Sequence, residues 1–163
     1  MANINILYGS TTGATESAAQ QLAALLGAEA KPIAAATADD FAADLVILGS
    51  STWGYGELQD DWAAGIALLD AVDLTGRKVA VFGTGDSVGF ADTFVNAIGI
   101  LADKAVERGA TLVGQVPVVG YSAVESLAVR DGNFVGLALD DTNESDQTPD
   151  RIAAWAKTLQ ASL

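Results

Sequence analysis

Five short strand-like runs alternate with stretches of helical period along the whole chain, and this alternation constrains the fold more than any other feature. The runs fall at residues 3–8, 29–34, 44–49, 78–83 and 111–119. Those at 44–49 and 78–83 are almost continuously apolar, as strands covered on both faces by helices should be. Between them, residues 13–26 place Ala19, Leu22 and Leu26 on one helical face and stop at Gly27. Thr37 opens a short helix that runs through Phe41. Residues 59–70 carry Trp62, Ile66 and Leu69 at helical spacing, and 91–108 align Phe94, Ile98, Leu101 and Ala105 before Gly109. The last helix opens with Thr148-Pro149, read as a capping residue followed by Pro at the first helical position, and buries Ile152, Trp155 and Leu159. Such alternation predicts an α/β doubly wound sheet with parallel strands and right-handed crossovers. A chain of 163 residues without a linker suits a single domain over 1–163.

Composition removes several chemistries. The chain has no cysteine and no histidine. Disulfides, thiolate catalysis, iron–sulfur ligation, the usual zinc sites and a Ser–His–Asp triad are therefore excluded. Redox chemistry would have to come from a bound cofactor. The net charge of −13 argues against nucleic acid, which needs a basic footprint, and favours basic surfaces on protein partners. No apolar run approaches the roughly 18 residues of a membrane span, and the N-terminus shows no signal-peptide pattern, so the expectation is a soluble cytoplasmic protein.

In an open doubly wound sheet, ligands bind outside the carboxyl ends of the strands, so the informative residues should follow strands one, three and four. After the first run comes Gly9-Ser10-Thr11-Thr12-Gly13-Ala14-Thr15, leading straight into a helix. Hydroxyls and glycines at a helix N-terminus make an anion site, because free N–H groups and the helix dipole both favour negative charge. This is neither a Walker A loop nor a G-x-G-x-x-G turn. After the third run comes Ser50-Ser51-Thr52-Trp53-Gly54-Tyr55-Gly56-Glu57, where packing does not explain Trp53 but a planar ligand against its face would. Trp62 and Phe94, at helical spacing, are read as core instead. After the fourth run, Gly83-Thr84-Gly85-Asp86 offers polar groups for the edge of a heterocycle, and Phe90-Ala91-Asp92 supplies a second aromatic.

These three loops resemble those of the flavodoxin family. Ser10-Thr11-Thr12-Gly13-Ala14-Thr15 matches its T/S-x-T-G-x-T pattern, residues 52–59 its second loop, and 83–86 with 89–92 its third. The segment Asp131-Gly132-Asn133-Phe134-Val135-Gly136-Leu137-Ala138-Leu139-Asp140 is similar to part of the long-chain members, in which an insertion interrupts the fifth strand. The resemblance implies a flavodoxin-like five-stranded sheet of order 2-1-3-4-5 and non-covalent FMN. It implies phosphate held by Ser10, Thr11, Thr12, Gly13, Ala14 and Thr15. Trp53 and Phe90 would flank the ring, Phe90 standing where the family usually has Tyr. Ser51, Thr52, Gly54, Tyr55, Gly56, Thr84, Gly85, Asp86 and Asp92 would complete the site, with the Gly54–Tyr55 peptide flipping beside the ring on reduction. None of the eight bases lies in the three loops, so neutral donors would bind the phosphate and neighbouring acids would disfavour an anionic hydroquinone. The implied role is a low-potential one-electron carrier that shuttles between semiquinone and hydroquinone. Its partners would be basic docking surfaces of ferredoxin/flavodoxin-NADP reductase, photosystem I, nitrogenase or other low-potential oxidoreductases, and the chain a monomer.

The alternative is an FMN-dependent NAD(P)H or quinone reductase on the same fold, although no second nucleotide motif is present. A phospho-acceptor signalling domain fails, since it needs acids where Gly9-Ser10 and Ser50-Ser51 stand.

Overall fold

The computed structural model describes residues 3–9, 14–53, 57–58, 60–84, 96–117, 129–130, 132–140 and 145–162. Its elements follow the expected alternation. Strand β1 (Ile4–Gly9) leads to helix α1 (Ala14–Leu26) and strand β2 (Glu29–Pro32). Strand β3 (Leu45–Trp53) is followed by the short β4 (Glu57–Leu58) and helix α2 (Asp60–Ala71). Strand β5 (Lys78–Thr84) and helix α3 (Asn96–Glu107) come next. Five short strands then occupy β6 (Thr111–Leu112), β7 (Val116–Pro117), β8 (Val129–Arg130), β9 (Asn133–Phe134) and β10 (Leu137–Leu139), before helix α4 (Thr148–Ala161).

The main sheet has the order β10-β5-β3-β1-β2, with all these neighbours parallel. That is the expected 2-1-3-4-5 order once β5 is counted as the fourth strand and β10 as part of the fifth. Alternate side chains divide the sheet between two apolar clusters. Leu7, Val46, Leu48, Val79 and Val81 pack with Trp62, Leu69, Ile98 and Leu101 of α2 and α3. Ile6, Leu45, Ile47, Ala80 and Phe82 pack with Ala19, Leu22, Ile152, Trp155 and Leu159 of α1 and α4. Both faces are covered, which is why 45–50 and 79–84 are buried throughout. Burying each large apolar side chain contributes roughly 1.5–3 kcal/mol.

The fifth strand departs from the continuous 111–119 read from the sequence. Among the described residues of that run, only Thr111–Leu112 pairs with β5, opposite Lys78–Val79, and Val113 N–H still donates to Val79 O at 2.9 Å. At Gly114 the backbone takes φ +80°, a conformation costly for any residue with a Cβ, and the chain turns away. Val116–Pro117 then pairs with β9 in a separate antiparallel sheet of order β7-β9-β8. The chain returns at Leu137–Leu139, opposite Phe82–Thr84, to complete the fifth position. The interruption expected from the resemblance is thus present, and the run of 111–119 as one strand is corrected.

One other boundary shifts. A 3₁₀ turn at Ser145–Gln147 runs directly into α4, so Gln147 is the N-cap, Thr148 is already helical and Pro149 follows it. Helix α3 is described only from Asn96, leaving the expected 91–95 and Phe94 outside the described residues. Thr37 does open a short turn, as expected, but it is 3₁₀ (Ala38–Ala42), with buried Phe41 inside it.

Candidate functional site at the carboxyl edge of the sheet

The chain reverses direction across the sheet between β1 and β3. After β1 it passes through α1 to β2 on one side, whereas β3, β5 and β10 build outward on the other. Helices α1 and α2, which follow β1 and β3, lie on opposite faces. Their starts therefore diverge above the carboxyl ends of β1 and β3, the switch point at which sheets of this kind take ligands in a crevice.

The strands finish almost level there. Gly9 is opposite Ser50 and Ser50 opposite Gly83, while Ser51 is opposite Thr84 and Thr84 opposite Leu139. Polar groups are concentrated at this edge, and several of them are buried. Thr15, Ser50, Thr84 and Asp140 are all at most 5% exposed. Thr15 lies in the first turn of α1, where backbone N–H groups have no intrahelical acceptor. Its hydroxyl is 3.0 Å from that of Thr84, at the end of β5. Among the described residues no buried side-chain N or O atom lacks a hydrogen-bond partner. Tyr8, one residue before the edge, is buried too, and its burial, with the Glu16 carboxylate second, pushes the phenol above its ordinary 10.0.

Strand β3 extends further than the sequence suggested. Its last residues pair antiparallel with β4, Thr52 opposite Leu58 and Trp53 opposite Glu57. Trp53 is therefore part of a strand rather than free loop, because the return of the chain at Glu57–Leu58 supplies backbone partners invisible to a local pattern. Trp62 closes the base of this hairpin region: its indole N–H donates to Gly49 O at 2.7 Å, and the ring is fully buried. The reading of Trp62 as core is correct.

Of the residues expected at the site, Ala14 and Thr15 begin α1, Ser51, Thr52 and Trp53 end β3, and Thr84 ends β5. Thr15 meets Thr84 directly, and Ser51 is its register partner. Ser10, Thr11, Thr12, Gly13, Gly54, Tyr55, Gly56, Gly85, Asp86, Phe90 and Asp92 lie outside the described residues. The structure adds Ser50 and Asp140 to the edge. Asp140 carried a usable signal, an acid closing the apolar run Leu137–Leu139.

Charge is distributed unevenly. No base stands at the carboxyl ends of β1, β3, β5 or β10, or in the first turn of α1. Lys104 pairs with Asp70 at 2.8 Å, Lys31 with Asp40 at 3.1 Å, and Arg130 with Asp103 at 2.6 Å, all elsewhere. Two clefts outside the crevice are also present, one of about 390 Å³ between α4 and Gln115–Pro117 and one of about 360 Å³ beside Asn3–Asn5.

Fold and edge together define a doubly wound α/β protein of the class whose ligands bind at the switch point. The family model named Flavodoxin matches residues 6–155, and the chain belongs to the flavodoxin family. It is 43% identical to the flavodoxin of Synechococcus elongatus, over 100% of this chain and 99% of the other. Flavodoxin 1 of Azotobacter vinelandii is 44% identical over 98% and 97%. The solved flavodoxin of Fusobacterium nucleatum, bound to flavin mononucleotide, superposes with a TM-score of 0.94 at 27% identity, covering 100% and 99%.

Proposed function

We propose that this protein binds FMN non-covalently in the crevice and carries single electrons at low potential between redox proteins. The observation that carries this is the switch-point edge itself: buried hydroxyls of Thr15 and Thr84 in contact, level with Ser50 and Ser51, at the start of α1. These groups fit FMN. A helix N-terminus with a hydroxyl in its first turn suits the phosphate, and strand ends with polar backbone suit the flavin edge. Family membership supports the same reading, and its relatives, named flavodoxins, favour an electron-transfer protein over the reductase alternative.

FMN supplies the one-electron chemistry when bound. The chain's residues bind it, orient it and bias its charge. Ser10, Thr11, Thr12, Gly13, Ala14 and Thr15 would hold the phosphate. Trp53 and Phe90 would flank the ring, Ser51, Thr52, Gly54, Tyr55, Gly56 and Asp92 would line it, and the backbone of Thr84, Gly85 and Asp86 would meet its edge. With no base at the strand ends and a net charge of −13, added negative charge on the ligand is disfavoured, which lowers the potential of the second electron. The same excess charge steers the protein to basic docking surfaces, at rates that fall as salt rises. NADP reductases, photosystem I, nitrogenase and other low-potential oxidoreductases are the partner classes that fit. A cytoplasmic monomer of one domain, 1–163, completes the proposal; among the described residues no helix is long and apolar enough to cross a membrane.

Stepwise anaerobic reduction, followed by visible absorption, tests it. A yellow protein that turns blue at one electron and bleaches at two is the expected course. Bleaching in a single two-electron step would favour the reductase, and a protein that takes up no FMN would overturn both readings.

A further inference from the structure

We infer that the Thr84 side chain positions the phosphate subsite, its hydroxyl acting through Thr15 rather than by touching the ligand, whatever its backbone meets. The inference rests on the FMN reading above. Its starting point is the hydroxyl pair: Thr15 Oγ1 and Thr84 Oγ1 are 3.0 Å apart, in side chains 1% and 5% exposed. Burying two hydroxyls costs free energy unless each is hydrogen-bonded, so a Val at position 84 would suit an apolar strand better. Threonine there calls for a reason.

Each hydroxyl has one proton and two lone pairs. Across a single contact only one of the pair donates to the other, and the other proton must go elsewhere. In the protein alone either direction satisfies the contact. An anion at the start of α1 removes that freedom. Phosphate can only accept at its charged oxygens, and Thr15, in the first helical turn, is the member of the pair beside it. Thr15 then donates to the anion, and its oxygen accepts from Thr84. The result is a two-step chain, Thr84 O–H to Thr15 Oγ1 and Thr15 O–H to phosphate, in which the charge polarises both bonds.

The contact also reaches across the sheet. β3 lies between β1 and β5, so a bond from α1 to the end of β5 bridges over the end of β3. Thr84 is followed directly by the loop proposed to meet the flavin ring. Phosphate and ring subsites would be mechanically joined at this point, with Thr84 setting the direction in which the Thr15 hydroxyl points.

The test compares two ligands that differ only in the phosphate. FMN and riboflavin are titrated into the ligand-free protein, and binding is read from quenching of flavin fluorescence. Thr84→Val is expected to weaken FMN about tenfold while changing riboflavin by less than about twofold. Thr84→Ser, which keeps the hydroxyl, is expected to restore the FMN preference. Thr84→Ala, which cannot overpack the strand end, should give the same FMN-to-riboflavin ratio as the Val variant. Equal weakening of both ligands, or no change in either, would overturn the role of Thr84 while leaving the FMN reading intact. A parent protein that binds neither ligand would overturn the FMN reading and this inference with it.

Discussion

The two edges of the same parallel sheet are built for opposite purposes. At the amino edge the backbone closes on itself: Leu45 N–H donates to Asn3 O, Thr111 N–H to Arg77 O and Leu74 N–H to Arg108 O, at 2.9–3.1 Å. Bases gather there, with Arg77 and Lys78 at the start of β5, Lys78 reaching Ser162 O and Arg108 donating through Nε to Val72 O at 2.9 Å. At the carboxyl edge stand the buried hydroxyls of Thr15, Ser50 and Thr84 and the buried carboxylate of Asp140, and no base. One edge spends its polar groups on holding the chain together. At the other, the hydroxyls of Thr15 and Thr84 bond to each other across the end of β3. The fifth position of the sheet repeats the division: β6 fills its amino half and β10, reached only after an excursion, fills its carboxyl half.

That division can be broken most forcefully at Gly136, where the chain returns to the sheet. A Cβ there would stand 1.9 Å from Val81 O and 2.7 Å from Val81 C, both backbone of the central part of β5. The strand cannot give way without losing its own register, so Gly136→Ala should cost about 3 kcal/mol or more. For a chain of this size that lowers the melting temperature by roughly 10 °C. FMN affinity should fall with it, because Leu139 is the neighbour of Thr84. An unfolding midpoint in urea equal to the parent's would mean that β10 does not need its seat on β5.

What could be read from the sequence follows the same line. Elements whose signal is local were legible: the continuous apolar runs of β3 and β5, the helical faces of α1 and α4, and Trp62 as core. The switch-point rule, which depends only on strand order and on which loops carry hydroxyls, is also what puts the proposed site at the carboxyl edge. Pairings that depend on distant chain were not legible. Trp53 becomes strand only because Glu57 returns beside it, and Val116–Pro117 looks like fifth strand until Gly114 turns it toward Asn133–Phe134. Asp140 was read only as the end of a motif; its burial needs β5 beside β10. The Thr15–Thr84 contact spans 69 residues and has no sequence signature at all.

A smaller effect sharpens the contrast from the amino edge. Arg108→Ala removes the Nε donor to Val72 O and should cost about 1 kcal/mol in urea unfolding of the ligand-free protein. FMN affinity should stay within about twofold of the parent, since that contact is at the opposite edge from the crevice. Comparable losses of stability and of FMN affinity would show that the edges are not independent.

The smallest effect is expected from Asp40, which lies in the 3₁₀ turn leading into the amino end of β3. Its carboxylate accepts from Thr37 N–H at 2.8 Å and from Lys31 Nζ at 3.1 Å. The Thr37 N–H first, and Lys31 after it, hold this carboxyl below its ordinary 3.8 despite partial burial, which acts the other way. A carboxyl whose folded value is depressed binds its proton more readily in the unfolded chain. Its contribution is therefore complete above the ordinary carboxylate value and is lost as pH falls through the lower folded one. Asp40→Asn should lower stability at pH 7 by less than about 1 kcal/mol and should do less harm as the pH drops below about 4, where the parent's carboxylate is itself being protonated. Urea unfolding of the ligand-free proteins between pH 7 and pH 3 measures the difference. A gap between parent and variant that widened toward pH 3 would reverse the sign and assign the turn's stability to the protonated acid.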